Sequence, residues 1–333
     1  MSASVLIVGA GQFARRHIER SLLAARATTV AGLVEVSAAQ RAHTRALFQE
    51  RGAPCPPFFE SIGEFLSAGG RADTALIVTP HNLHLPQTLE CFAAGMDVLL
   101  EKPMVMTAAD ARRMIRARDR FRRTLMVAFP ANYSPLLARA RAWIGEGRIG
   151  RITSVYGWLE EAWRDRNLGT WRQDPALSGG GYLFDTGTHL MNATLELVGE
   201  PVAEVRAAFE PAGTPVDVIA NVSGRFHSGV VFAWHVNGHA SGWDNGIRIV
   251  GERGTIETGP WLGTLRVRSA RAGGWGRPIT LKRRPDIWKW FLDVRAGRRD
   301  NPCPAESGLR LARLMDALRR SAAVDRTVRL GEG

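Results

Sequence analysis

The junction Val5-Leu-Ile-Val8 followed by Gly9-Ala-Gly11-Gln12-Phe13-Ala14 limits the possible folds more than any other stretch. A short, continuous apolar run is what a strand buried on both faces of a parallel sheet looks like. The residues after it have the spacing G-x-G-x-x-A, in which Gly9 permits a tight turn and Gly11 allows a diphosphate to approach. Ala14 lets the following helix, expected to run to about Ala25, pack closely on the strand, with its positive end facing the ligand. A strand, a turn and a helix in that order are the context in which this pattern carries meaning.

The alternation continues. A second strand, Thr29 to Val36, carries Glu35 at its end, 21 residues after Ala14, where an acid accepts the ribose hydroxyls of a dinucleotide. A carboxylate there repels a 2′-phosphate, so NAD is expected, with NADP as the alternative. A helix from Ala38 to Gln49, a Pro-rich loop, a short helix from Ser61 to Ala68 and a buried strand Thr74 to Thr79 follow. Pro80 closes that strand, and His81-Asn-Leu-His84 is read as a loop before a helix from Pro86 to Ala94. The next strand, Asp97 to Leu100, ends in Glu101-Lys102-Pro103. Lys102 thus stands at a strand's carboxyl end, where ligands bind in such sheets, ahead of a proline that keeps it out of helical geometry. It either polarises a substrate oxygen or is a solvated surface lysine.

A second concentration of chemistry lies at Ser178-Gly-Gly-Gly-Tyr-Leu-Phe-Asp185-Thr-Gly-Thr-His189-Leu-Met-Asn192. Three successive glycines offer nothing for packing and suit a sharp turn or a close approach to a ligand. Leu190, Ala193 and Leu197 recur at helical spacing, so a helix is expected to begin near Asp185. Asp185 and His189 then share a face one turn apart. A carboxylate beside an imidazole fixes its tautomer and raises its basicity, as a general base requires. A helix-capping Asp and a satisfied core His remain the alternative.

These motifs, with Thr79-Pro80, Glu146-Gly-Arg-Ile-Gly150, Trp171-Arg172, Ile249 to Ile256 and a closing helix near Glu306 to Ser321, resemble in order the glucose–fructose oxidoreductase/inositol dehydrogenase/MocA (Gfo/Idh/MocA) family. The resemblance implies an α/β N-terminal Rossmann domain with a doubly wound parallel sheet, and an α+β C-terminal domain built on an open, mainly antiparallel sheet. It implies NAD(P)-dependent oxidation or reduction of a sugar or polyol, with Lys102, Asp185 and His189 as the catalytic group. Gly9, Gly11, Gln12, Phe13, Ala14, Glu35, Thr79, Pro80, His81, His84, Glu101 and Lys102 are the expected cofactor contacts. Asn132, Tyr133, Trp163, Trp171 and Arg172 are the expected substrate contacts. Two further readings stay open: an enzyme that retains and recycles its NAD, and a non-catalytic nicotinamide sensor.

Three departures from the family pattern bear on the substrate. Pro130-Ala131-Asn132-Tyr133 stands where Asn-Arg-Arg-Phe is common, Asn192 stands where Asp is common, and His81-Asn82 reverses the usual order. Without the paired arginines, a neutral or weakly charged sugar or polyol is expected rather than a phosphorylated one.

All ten tryptophans lie at or after Trp143, which supports two domains, 1–125 and 126–333, the second opening with a strand Met126 to Phe129. Expected strands beyond it are Ile152 to Leu159, Val202 to Phe209, Val216 to Phe226, Val230 to Val236, Ile247 to Val250 and Leu265 to Val267, joined as hairpins. An open sheet needs its bare face covered, so a homodimer or homotetramer through that sheet is expected. The formal charge of +12 comes mostly from arginines scattered between Arg15 and Arg329, with no basic stripe interleaved with aromatics, so no nucleic-acid partner is expected. Cys55, Cys91 and Cys303 lack metal-ligand spacing, so no metal is expected. No apolar run spans a bilayer and no basic leader precedes the first strand, which points to a cytoplasmic protein without a membrane partner.

Overall fold

The computed structural model describes residues 3–23, 28–269 and 273–331. The chain divides into two compact units. The first comprises Met1–Val105, Ala109–Ala128 and Asp286–Gly308; the second comprises Met106–Ala108, Phe129–Pro285 and Leu309–Gly333.

Among the described residues, six parallel strands form the sheet of the first unit: β1 (Ala3–Val8), β2 (Thr28–Val34), β3 (Phe58–Phe59), β4 (Thr74–Ile77), β5 (Asp97–Leu100) and β6 (Leu125–Val127), in the order β3-β2-β1-β4-β5-β6. Val5 to Val8 are completely buried, as their unbroken apolar run requires of a strand covered on both faces. The helix after β1, Gln12–His17, passes into a π-helical turn, Ile18–Leu22; the expected helix end at Ala25 lies outside the described residues.

Three expectations are corrected here. His81 to His84 are not a loop but the first turn of helix His81–Ala93, which accommodates Pro86 in its second turn at the loss of one backbone bond. The run at Met126 does not open the second domain. It is part of β6, paired in parallel with β5 through Val98–Leu125, Leu99–Met126 and Leu100–Val127, and buried on both faces. Residues 286–308, late in the chain, also belong to the first unit. Trp288 donates to the Thr28 hydroxyl at 2.9 Å, Arg295 pairs with Asp97 at 2.8 Å, and Arg118 grips Glu306 with two bonds.

Among its described residues the second unit holds nine strands: β7 (Ile152–Glu160), β8 (Val202–Glu210), β9 (Ile219–Phe226), β10 (Val231–Asn237), β11 (Asp244–Gly251), β12 (Gly254–Thr258), β13 (Thr264–Ser269), β14 (Ile279–Thr280) and β15 (Val328–Arg329). Their order is β14-β13-β12-β11-β7-β10-β9-β8-β15, antiparallel except for the central β7–β10 pair. That parallel pair departs from the expected run of hairpins. Val155, Gly157 and Leu159 alternate inward along β7, as do Phe232, Trp234 and Val236 along β10. Helix Gly187–Val198 covers this face. A Cβ on Gly157 would come within 2.5 Å of Leu190, so glycine there is what lets helix and sheet meet. Tyr156 and Trp158 stack on the opposite face.

Candidate functional site

In the first unit the dinucleotide fingerprint has the predicted geometry. Gly9 has φ +90°, and a Cβ on it would stand 2.7 Å from the Val78 carbonyl oxygen, so both conformation and space demand glycine. Gly11 is different. Its backbone is ordinary, and a Cβ there would meet nothing within 4 Å. No side chain caps the start of helix Gln12–His17, where Gln12 and Phe13 are exposed and Ala14 is buried. The open space beside Gly11 suits a ligand more than packing.

Glu35 lies beside it. Its carboxylate accepts from the Ala10 amide at 2.8 Å and from the Ser37 amide at 2.9 Å. Each oxygen keeps a second lone pair, so an anchored carboxylate with room for two hydroxyl donors fits a ribose. These residues therefore fit a nicotinamide dinucleotide. Arg41 donates to the Glu35 carbonyl and Arg15 to the Ala10 carbonyl, which stiffens the same turn.

Of the remaining cofactor candidates, Thr79 donates its hydroxyl to Gln87 at 2.6 Å, and Pro80 precedes helix His81–Ala93. Both His81 and His84 are buried. His84 faces carbonyls with both ring nitrogens, Pro103 from Nδ1 at 2.9 Å and Thr79 from Nε2 at 3.0 Å. Burial pushes its pKa down, while those carbonyls and Glu101 oppose the change. Completely enclosed, it ties the segments bearing Thr79 and Lys102 together and is not a direct contact for a dinucleotide. Glu101 is also engaged: His17 Nε2 lies 2.8 Å from its carboxylate, which accepts the Lys102 amide at 3.2 Å. Burial works against its ionisation, but His17 and Lys102 hold its pKa below the usual carboxylate value. Lys102, half-buried, follows at the end of β5.

The second unit carries the Asp185 and His189 candidates. The expected single helix from Asp185 is two: Tyr182–Asp185 and Gly187–Val198, with Thr186 between them. Asp185 is 7% exposed, and its Oδ2 accepts from Trp163 Nε1 at 2.9 Å and from Arg172 Nε at 3.1 Å. Donors of this kind stabilise the ionised form and fix its orientation. His189 lies between two aromatic rings, Trp261 at 5.1 Å and Phe129 at 6.3 Å between centroids.

The substrate candidates are accordingly revised. Trp163 is 2% exposed and spends its N–H on Asp185, so it braces the carboxylate and offers no open ring face. Tyr133 is also buried. Arg172 divides itself between Asp185 and the face of Trp171, 4.5 Å away. Asn132 accepts from Asn192 at 2.6 Å, which links two of the departures noted in the sequence. Trp261, Asp217 and Arg319, which border this half, carry no motif that sequence reasoning could have used. Among the described residues no cluster of His, Cys, Asp and Glu could hold a metal ion, and no helix is long and apolar enough to cross a membrane.

Two family models match the chain. Residues 3–129 match the oxidoreductase family with an NAD-binding Rossmann fold, and residues 137–257 match the GFO/IDH/MocA C-terminal domain. The chain is 29% identical over 199 residues to D-xylose 1-dehydrogenase [NADP(+)] of Haloarcula marismortui, covering 58% of this chain and 55% of that protein. It is 30% identical over 210 residues to 1,5-anhydro-D-fructose reductase of Ensifer adhaerens, covering 60% and 62%. The matches thus span less than two thirds of these relatives' own lengths. A levoglucosan dehydrogenase structure in complex with NADH superposes with a TM-score of 0.83 over the whole of both chains at 22% identity, a likeness of fold.

Proposed function

The chain belongs to the Gfo/Idh/MocA oxidoreductase family, and from that premise we propose that it is an NAD-dependent dehydrogenase or reductase for a neutral sugar, cyclic polyol or related small metabolite. The observation that carries the reading is the grip on Asp185. A buried carboxylate held in place by an indole and a guanidinium, four residues before a histidine, supports a carboxylate–imidazole pair as the base. Bound NAD would supply the hydride acceptor for oxidation of the carbinol carbon, or NADH the donor for the reverse reaction. His189 takes the hydroxyl proton in oxidation and returns it in reduction. Asp185 keeps the imidazole oriented, and Lys102 stabilises negative charge developing on the substrate oxygen. Glu35 favours NAD over NADP by meeting the ribose hydroxyls and repelling a 2′-phosphate.

The substrate class draws support from Ala131 and Asn132, which leave no paired arginines for a phosphate. It is also supported by the names of the relatives, which refer to uncharged sugars. A panel of neutral sugars, polyols and sugar phosphates, each with NAD(H) and NADP(H) and followed by nicotinamide absorbance, tests it. Activity on a sugar phosphate with none on neutral substrates overturns the assignment.

A homodimer or homotetramer through the bare face of the second sheet belongs to the same reading. That face carries a shallow 520 Å³ depression edged by Tyr156, Trp158, Arg206, Asn221 and His235, with Arg248 lying over both aromatic rings. Cys55 and Cys91 are free thiols, which fits a reducing, cytoplasmic setting.

A further inference from the structure

Asp217 stands just before β9, well beyond the Ser178–Asn192 stretch in sequence, yet it receives three successive amides of the glycine turn. Gly181 N–H donates to its Oδ1 at 2.7 Å, Tyr182 N–H to its main-chain carbonyl at 2.7 Å, and Leu183 N–H to its Oδ2 at 2.9 Å. The approach is so close that a Cβ on Gly181 would fall 1.8 Å from the Asp217 carbonyl oxygen, which accounts for the third glycine of the run. Asp217 is itself held by the sheet. Its neighbour Val218 donates to the Glu210 carbonyl at the end of β8 and accepts from Gly238 at 2.8 Å.

Arg319, on helix Ala305–Val324, holds the other side of the turn. It donates to the carbonyls of Gly179 and Met106 and to Asp316, and it lies 4.4 Å over the Phe184 ring. Gly179 and Gly180 both have positive φ, so the segment between these two clamps has a backbone shape that only glycine adopts easily. The held segment leads straight to the chemistry. Asp185 N–H bonds the Gly181 carbonyl at 2.9 Å, and His189 N–H bonds the Thr186 carbonyl at 3.0 Å.

We propose that Asp217 and Arg319 are positioning residues for catalysis: together they clamp the Gly179–Leu183 turn and thereby set the orientation of Asp185 and His189. The inference rests on the reading that Asp185 and His189 do the chemistry. An isolated structural bond would not recruit both carboxylate oxygens and the carbonyl of one residue for three consecutive amides. Nor is the arrangement gained cheaply: burial pushes the Asp217 carboxyl up to about 6, against the pull of the Gly181 and Leu183 amides and of Arg319. A buried carboxylate whose hydrogen bonds among the described residues come from backbone amides, with one guanidinium charge acting on it, is retained for geometry.

Two measurements on the full chain test the clamp. Amide hydrogen exchange reads the contacts directly. Asp217→Ala is expected to speed exchange at Gly181 and Leu183 by about 10²-fold while β7 and β10 keep their protection, and Asp217→Asn, retaining one acceptor, falls between. Steady-state kinetics read the consequence. Misplacement on the ångström scale costs about 10²-fold in kcat, so Asp217→Ala should lose roughly that and Asp217→Asn about tenfold, with the KM for NAD unchanged. Arg319→Lys keeps the charge but cannot reach two carbonyls, and is expected to lower kcat about tenfold; it also serves should Asp217→Ala fail to fold. Unchanged exchange at Gly181 and Leu183 would overturn the clamp, and so would accelerated exchange with wild-type kcat. A fully active His189→Ala enzyme would instead overturn the catalytic reading beneath it, leaving the exchange result to stand alone.

Discussion

Gly9 and Gly11 are two residues apart and chemically identical, yet alanine is expected to damage them in opposite ways. At Gly9 the backbone sits at φ +90°, and an added Cβ would lie 2.7 Å from the Val78 carbonyl oxygen and 2.9 Å from its carbon, atoms fixed by the β1–β4 pairing. Left-handed backbone costs a non-glycine residue about 1–3 kcal/mol. Forcing a methyl into a packed, immobile wall adds about 1–3 kcal/mol more. A total of about 2–6 kcal/mol is a large share of the ~5–15 kcal/mol that holds a domain together. In a unit of this size it corresponds to a fall of roughly 5–20 °C in Tm. At Gly11 the backbone is unstrained and nothing lies within 4 Å, so Gly11→Ala should melt like wild type within about 2 °C. Its methyl instead occupies the space through which a diphosphate reaches the backbone, and NADH affinity should fall at least about tenfold, or about 1.4 kcal/mol. Thermal melting by circular dichroism and titration of NADH fluorescence separate the two effects. A Gly11→Ala protein that binds NADH as tightly as wild type would refute the reasoning, as would a Gly9→Ala protein with an unchanged Tm.

Four further outcomes are expected. His189→Ala and Lys102→Ala should each lose about 10²–10⁴ in kcat while NADH titrations stay near wild type, and wild-type turnover in His189→Ala would remove the proposed mechanism. Wild-type protein should bind NADH more tightly than NADPH, and Glu35→Ser should narrow the gap; since Glu35 also anchors the Ala10 and Ser37 amides, some NADH affinity should go with it. Light scattering at micromolar concentration should give at least twice 36.5 kDa, and a 36.5 kDa particle contradicts assembly through the second sheet. Finally, the folded Asp217 carboxyl titrates at about 6 against an ordinary 3.8, so stability from this group is present below pH 4 and lost as pH rises through about 6. Melting temperatures at pH 5 and pH 7.5 should therefore differ more in wild type than in Asp217→Asn, and identical differences would rule out that titration.

What the chain's order of residues settles alone is whatever local physics dictates. An apolar run such as Val5 to Val8 must be buried on both faces, and Gly9 must turn where no side chain is tolerated. Lys102 must stay out of helical geometry because Pro103 follows it. These demands act within a few residues, so the parallel sheet, the fingerprint and the Glu101-Lys102-Pro103 strand end are all legible without coordinates. Partnerships across the chain are not. The apolar run at Leu125 is compatible with either sheet, and only its pairing with β5 assigns it to the first. His84 reads as a ligand contact until its enclosure by two carbonyls is seen. Trp163 and Arg172 look like a sugar platform, but in the fold they hold Asp185, which follows them by 22 and 13 residues. Asp217 meets the glycine turn 36 residues away. Hydrogen bonds between side chains so far apart leave no periodicity in the sequence, because the loops that bring them together can vary without changing the contact. Tertiary structure therefore decides who braces the proposed catalytic pair, while local sequence decides where that pair stands.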